Sequence, residues 1–320
     1  MRNLLVICGP TATGKTSLAL RLAKKFNGEI ISADSRQVYK GMDIGTGKDL
    51  PKGSRLVIGR RKQGYYLING VKVWGYDLVS AKKEFSVGQY VKIARKIIKE
   101  ILKRNKLPIL VGGTGFYIKG LVDGIATAII PKNRKFRKSL EGISVSELYD
   151  KLAQIDSIKA ASLNFSDRKN PRRLIRALEI ALWHLKGKYK ETRAKDLDFD
   201  LVLFVGLMAN EELLEERIVK RVKGRVDKGF SKEISRLKKE GLTRENQSIN
   251  ALGYSQWFDV LEGKMSADVA IVDWIKSERK YAKKQMSWFK RDKRINWFDI
   301  SKEEWGKNVE KLVERWYKQV

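Results

Sequence analysis

Gly9-Pro10-Thr11-Ala12-Thr13-Gly14-Lys15-Thr16 fits the spacing G-x-x-x-x-G-K-[ST], a pattern that binds phosphate. Its glycines let the backbone turn tightly, so that successive N–H groups point at one anion. The apolar run Leu4-Leu5-Val6-Ile7-Cys8 precedes the loop, and Leu18, Ala19, Leu22, Ala23 and Phe26 follow at helical spacing. A helix beginning beside Thr16 aims its free N–H groups and the positive end of its dipole at the anion. Lys15 adds a mobile point charge, and the Thr16 hydroxyl is available to Mg²⁺.

Kinases, ATPases and other transferases all use such a loop, so neighbouring residues must discriminate among them. In motor ATPases and GTPases an apolar strand ends in an acid for Mg²⁺. Here Ile109-Leu110-Val111 runs into Gly112-Gly113-Thr114-Gly115 instead. The acid at hand is Asp34, after Gly28-Glu29-Ile30-Ile31-Ser32-Ala33. A carboxylate facing the phosphate loop suits orienting, and deprotonating, a nucleophile on a second substrate. The plainer reading of Asp34, with Ser35 beside it, is an N-cap or Asx turn.

These residues need a frame. Strands at 4–8, 28–33 and 107–111 alternate with helical patterns, notably Val87 to Arg104, which predicts a parallel sheet with covering helices. Ligands gather at strand C-terminal ends in such sheets, so Gly14, Asp34 and Gly113 should share one crevice. Within residues 53 to 76, Leu56-Val57-Ile58-Gly59 and Gly70-Val71-Lys72-Val73-Trp74 read as two short strands of an antiparallel excursion. From about Ile125 to Lys190 the pattern turns helical and basic, as in Ser144 to Ile155 and Pro171 to Leu185, before Leu201-Val202-Leu203-Phe204-Val205 resumes the sheet. The last helix carries a packing stripe of Trp305, Val309, Leu312 and Trp316. His184, the only histidine, is expected to pack within its helix. The Gly/Lys-rich stretches 45 to 64 and 186 to 196 read as loops or boundaries.

With 320 residues the chain exceeds one ordinary domain, and 42% hydrophobic residues supply a core. Lys and Arg outnumber Asp and Glu by 67 to 37, a net charge of +30 that favours a polyanionic partner. One cysteine excludes an internal disulfide and a Cys-based zinc site. No apolar run approaches a membrane span, and Met1-Arg2-Asn3-Leu4 enters the first strand too soon for a signal peptide. The expectation is a cytoplasmic protein.

Six segments, in order, closely resemble the tRNA dimethylallyltransferases (tRNA isopentenyltransferases). They are residues 9–16, Asp34-Ser35-Arg36-Gln37-Val38-Tyr39-Lys40-Gly41-Met42-Asp43-Ile44-Gly45-Thr46, Gly112-Gly113-Thr114-Gly115-Phe116-Tyr117, Asn170-Pro171-Arg172-Arg173-Leu174-Ile175-Arg176-Ala177-Leu178-Glu179, Leu214-Glu215-Glu216-Arg217-Ile218-Val219-Lys220-Arg221, and Ala282-Lys283-Lys284-Gln285-Met286-Ser287-Trp288-Phe289. The resemblance covers roughly residues 3 to 300. It implies an α/β fold: a P-loop nucleoside-triphosphate-hydrolase-like core with a parallel sheet and helices on both faces, residues 1–124 and 195–320. A mostly helical inserted domain, 125–194, would contact tRNA.

By the same resemblance the loop from Gly9 through Pro10, Thr11, Ala12, Thr13 and Gly14 to Thr16 holds the diphosphate of dimethylallyl diphosphate, and the dimethylallyl group moves to N6 of adenosine 37 beside the anticodon. Lys15, Thr16 with Mg²⁺, and Arg221 would neutralise the leaving group, and Asp34 would orient the amine. Arg217, one turn before Arg221, is not separated from it by sequence. Contacts with the tRNA anticodon stem-loop are implied for Asp34, Ser35, Arg36, Gln37, Thr114, Arg137, Arg172, Arg173, Leu174, Ile175, Arg176, Asn250, Ala251, Leu252, Gly253, Tyr254 and Ser255. The family also implies a monomer. Ser255 stands where the family usually has a basic residue, and Tyr76 where a histidine is common. The chain shows no Cys/His zinc module of the eukaryotic kind, which points to the bacterial type. Two other readings are a small-molecule or nucleotide kinase, which needs no +30 surface, and a non-catalytic RNA-binding protein, against which intact Lys15, Thr16, Asp34 and Arg221 speak.

Overall fold

The computed structural model describes residues 2–58, 64–187 and 199–319. Two compact units divide it, Met1–Asp123 with Leu197–Val320, and Gly124–Asp196.

In the first unit the chain runs through β1 (Asn3–Cys8), α1 (Lys15–Lys25), β2 (Gly28–Ser32), β3 (Tyr39–Lys40), β4 (Leu56–Ile58), β5 (Gly64–Ile68), β6 (Val71–Trp74), β7 (Val79–Ser80), α2 (Val87–Lys103), β8 (Leu107–Val111) and α3 (Gly115–Val122). Every residue of β1, β2 and β8 is buried. Strands buried on both faces read as continuous apolar runs, the pattern of a parallel sheet between two helical layers. Along β1 the side chains alternate between two cores, Leu4, Val6 and Cys8 in one, Leu5 and Ile7 in the other. Leu18, Ala19, Leu22, Ala23 and Phe26 close the second core as the periodicity predicts. Ser86 starts α2 with a capping box through Gln89.

The chain returns to this unit with β9 (Leu201–Met208) only after the second unit has been made. In the sheet the order is β10-β9-β1-β8-β2-β6-β5-β4, where β10 is Ile295–Asp299. Six of these strands are parallel; β5 and β4 are antiparallel additions at one edge. The ribbon therefore differs from the expectation of two strands. Gly64–Ile68 is a third, rich in β-forming Tyr65, Tyr66 and Ile68, and β6 joins the main sheet parallel to β2 through Ile30↔Val73. Gly59 and residues 188–196 of the second Gly/Lys-rich stretch lie outside the described residues.

The second unit contains α4 (Arg134–Lys138), α5 (Val145–Ile155), α6 (Ser157–Ser162), α7 (Phe165–Arg168) and α8 (Pro171–Leu185). Leu148 and Leu152 of α5 pack with Leu174, Ala177, Leu178 and Ala181 of α8 in a core of its own. Asn170-Pro171 is the start signal of α8: the Asn170 side chain accepts from Arg173 N, and proline takes the first turn, where its missing N–H costs nothing. His184 is exposed in the last turn of α8, contrary to the packed role expected. Its position falls outside the stripe formed by Leu174, Leu178 and Ala181.

Four helices follow β9: α9 (Glu211–Asp227), α10 (Phe230–Lys239), α11 (Tyr254–Leu261) and the long α12 (Ala267–Phe289). After β10 comes α13 (Trp305–Lys318), whose Val309 and Trp316 are buried, with Trp305 and Leu312 packed beside them.

Candidate active site in the cleft at the strand ends

The phosphate loop leaves β1 at Gly9 with φ +130°, and a Cβ there would come 2.2 Å from the Leu207 carbonyl of β9. Only glycine lets the two chains pass. Gly14, at φ +81°, turns the loop into α1, whose first turn carries no acidic residue. Thr13 Oγ1 donates to the Pro10 carbonyl at 2.9 Å and closes the loop on itself. From α12, Gln285 accepts from Thr11 N at 2.8 Å and donates to the Gly113 carbonyl at 2.9 Å, tying the loop to the end of β8.

Lys15 bends back over the loop and donates to the Pro10 carbonyl. Burial first, and the neighbouring Arg221 guanidinium second, push its ammonium down to about 8. Arg221 of α9 donates to the Thr11 hydroxyl, and Arg217, one turn earlier, lines the same cavity of about 300 Å³. Thr11, Gly14, Lys15, Thr16, Asp34 and Gly113 line it too, so the crevice predicted from strand ends is formed.

Asp34 forms the Asx turn that its sequence context allowed. Its Oδ1 accepts from Arg36 N at 2.8 Å and from Gln37 N at 3.4 Å, an Asx turn, while Oδ2 has no hydrogen-bond partner among the described residues. The turn fixes the carboxylate and leaves one oxygen for the cleft. A second cavity of about 160 Å³ shares Thr11, Asp34, Arg221 and Tyr281 with the first and is walled by Ser35, Arg36, Asn250, Ala251 and Leu252. The two cavities meet at Asp34; Lys15 and Arg217 line only the first, and Arg36, Arg225 and residues 250–252 only the second.

Several other sequence-selected residues serve the frame. Thr114 Oγ1 accepts from Ser35 N at 3.0 Å, joining the ends of β2 and β8. Gln37 is buried, accepting from Ser32 Oγ and donating to the carbonyls of Thr46 and Gly47. Gly253 (φ +90°) and Tyr254 are buried, with a Cβ at Gly253 meeting the Trp274 ring at 2.5 Å; Ser255 is half-buried. In the second unit Leu174 is core and Ile175 packs against it. Arg137 and Arg176 both bind Glu179, at 2.7 and 3.0 Å, and Arg176 also donates to the Thr127 and Ile130 carbonyls. Arg172 and Arg173 are exposed, Arg173 paired with Asp167.

Sequence reasoning assigned no role to Gln285 or Tyr281, although Gln285 stands in a quoted motif. It also missed the buried Arg225–Glu278 pair at 2.9 Å behind Arg221. Arg225 is pushed down to about 10 by burial first and by Arg221 second. A further omission is Glu233 of α10. Its carboxylate accepts from Asp43 N, Ile44 N and Gly45 N and from the Tyr254 hydroxyl at 2.6 Å, holding the loop that brings Gly47 and Asp49 to the cavity.

For Mg²⁺, the described residues contain no cluster of three His, Cys, Asp or Glu able to hold a metal by themselves. Mg²⁺ beside phosphates commonly takes one or two protein oxygens and fills its octahedron with phosphate oxygens and water. Thr16, lining the cavity at the start of α1, fits that set.

Comparison with known proteins gives a consistent result. The pattern of the family described as IPP transferase matches residues 37–292, and that described as isopentenyl transferase matches residues 2–71. A tRNA dimethylallyltransferase of Carboxydothermus hydrogenoformans is 39% identical over 319 residues, 97% of this chain and 96% of that one. One from Anoxybacillus flavithermus is 38% identical over 303 residues, 93% of this chain and 91% of its own. Among solved structures, a tRNA isopentenylpyrophosphate transferase of Staphylococcus epidermidis aligns with TM-score 0.66 at 32% identity, covering 99% of both chains. A eukaryotic dimethylallyltransferase described as acting on tRNA aligns with TM-score 0.74 at 26% identity, over 93% of this chain and 74% of that one.

Proposed function

Because the chain belongs to the IPP transferase family, of bacterial type, we propose that it transfers a dimethylallyl group from dimethylallyl diphosphate to N6 of adenosine 37 in tRNA, releasing diphosphate. The observation that carries this reading is that the phosphate-loop cavity, with Lys15, Arg217 and Arg221, meets a second cavity walled by Ser35, Arg36 and residues 250–252 at one fixed carboxylate, Asp34.

The diphosphate lies in the phosphate loop, against the N–H groups from Thr11 to Thr16, with Lys15, Arg217 and Arg221 around it. As the allylic C–O bond breaks, its electron pair leaves with the diphosphate. These groups stabilise that growing charge in place, without the reorganisation water would need. The adenine amine is a weak nucleophile because its lone pair is delocalised into the ring, so orientation matters more than basicity. N6 forms the new C–N bond, and the proton it loses passes to Asp34 Oδ2. The base must leave its stack to reach this position, with Ser35, Arg36 and the 250–252 segment lining its pocket. Mg²⁺, held by Thr16 and the diphosphate, supplies further charge neutralisation when bound.

The RNA partner in this reading is the anticodon stem-loop, with exposed Arg172 and Arg173 gripping phosphates and Arg137 and Arg176 shaping the surface that presents them. The enzyme works as a cytoplasmic monomer. The direct test incubates it with unmodified tRNA, Mg²⁺ and labelled dimethylallyl diphosphate, with labelled ATP in a parallel reaction. Label on adenosine 37 supports prenyl transfer; phosphate transfer from ATP would establish a kinase instead.

A further inference from the structure

Trp288 is the most exposed of the eight tryptophans, at 43%, and it stands one helical turn beyond Gln285 of the cleft. Beside it Phe116 is 46% exposed, its ring 6.5 Å from the indole and perpendicular to it at 86°. The juxtaposition is built into the chain. A Cβ at Gly115 would come 2.2 Å from the indole Cδ1 and Nε1, so glycine there lets Trp288 lie against the start of α3. Gly113, two residues before that glycine, lines the cleft.

A solvated aromatic pair loses hydrophobic stabilisation unless something covers it. The charges around it define the cover. A cavity of about 330 Å³ begins at Gly115 and Trp288 and is rimmed by Lys119, Arg291 and Lys293. Its two acids, Asp123 and Asp292, are both occupied by Arg294, at 2.7 and 2.6 Å. Two half-exposed rings beside three cations with no acid partner among the described residues suit a planar base with its phosphate, and disfavour an apolar peptide or a second copy of this basic chain.

We propose that Trp288 and Phe116 form a stacking platform for the nucleotide adjoining the acceptor adenosine, with Lys119, Arg291 and Lys293 receiving its phosphate. This rests on the tRNA reading above. It gives the flipped acceptor a place for its neighbour, so that the loop opens as a unit.

The test uses an anticodon stem-loop RNA carrying 2-aminopurine next to the acceptor adenosine. Stacking on the platform quenches its fluorescence further, or shifts it, when wild-type enzyme binds. Trp288→Ala should abolish that change and raise KM for tRNA about tenfold, while the affinity for inorganic diphosphate and the thermal midpoint stay at wild-type values. Trp288→Phe should restore most of the binding, and Phe116→Ala should give a smaller loss. Wild-type KM and an unchanged fluorescence response in Trp288→Ala would overturn the platform, as would Trp288→Phe failing as badly as alanine. If the wild-type enzyme does not label adenosine 37 at all, the tRNA reading fails first, and that result is distinguishable from these.

Discussion

In the proposed reaction Asp34 divides its two oxygens between structure and chemistry, and the division can be separated by substitution. Asp34→Asn keeps an acceptor for Arg36 N and Gln37 N but cannot take the amine proton. Turnover should fall by about two to four orders of magnitude while tRNA affinity and unfolding midpoint change little. Asp34→Ala should lose as much turnover and also weaken the fold by about 1 kcal/mol through the lost turn. Near-normal single-turnover rates in the asparagine variant would remove Asp34 from proton transfer. Lys15 makes a separate prediction. Its free value of about 8 lies below the ordinary lysine value, and a bound diphosphate favours the charged form, so binding takes up a proton above pH 8. Diphosphate affinity should be level below pH 8 and fall about tenfold per pH unit above it. Calorimetry in buffers of different ionisation heat measures that uptake, and Lys15→Met should erase it. Lys15, Thr16 and Asp34 were legible in the sequence because loop spacing and strand ends place them locally. Gln285 was not, since its partners Thr11 and Gly113 lie 274 and 172 residues away.

Among the elements, α10 does work that no motif announces. Glu233 replaces water for three consecutive backbone N–H groups, and Gly45 lies so close to Phe230 and Tyr254 that a Cβ would meet their rings at 2.4 and 2.5 Å. Glu233→Ala orphans those donors together with the Tyr254 hydroxyl. It should destabilise the protein by about 2–4 kcal/mol in urea titration and raise KM for the diphosphate donor through displacement of Gly47 and Asp49. Unchanged stability would mean that water substitutes freely for the carboxylate. The helices α1, α5, α8 and α13 could be read from apolar spacing and caps. The strand at Gly64–Ile68 escaped notice because the polar run Arg60-Arg61-Lys62-Gln63 breaks the apolar alternation before it. Neither the exposure of His184 nor the pairing of β6 with β2 follows from local pattern; both depend on which neighbour arrives from elsewhere in the chain.

For the whole molecule, charge is the dominant feature. A net +30 remains even though the structure pairs many acids with basic partners, as Glu179 is with Arg137 and Arg176. Binding of tRNA should weaken steeply with salt, the logarithm of affinity falling linearly with the logarithm of salt concentration as counterions return to the phosphates. A flat response between 50 and 200 mM salt, conditions in which about six phosphate contacts cost roughly a thousandfold or more, would contradict an electrostatic grip. Composition made this partner class visible before any motif did. Which arginines remain available was hidden, because Glu179 engages Arg137 and Arg176 through contacts that only the folded helices create. Among the described residues no helix is long and apolar enough to cross a membrane.

Gly9 packs on Leu207, Thr11 is held by Gln285 and Arg221, and β1 pairs with β9 from Asn3↔Leu201 onward. The phosphate loop is thus completed by segments about 200 to 270 residues downstream of it. On the ribosome, the first phosphate-binding residues to emerge must wait through the entire helical unit before their partners appear. Such distant pairing slows folding, although lengthening the intervening segment adds only about 0.6 kcal/mol per doubling to loop closure. A nascent chain stopped before α12 would display the motif without the Gln285 bridge that ties Thr11 to Gly113.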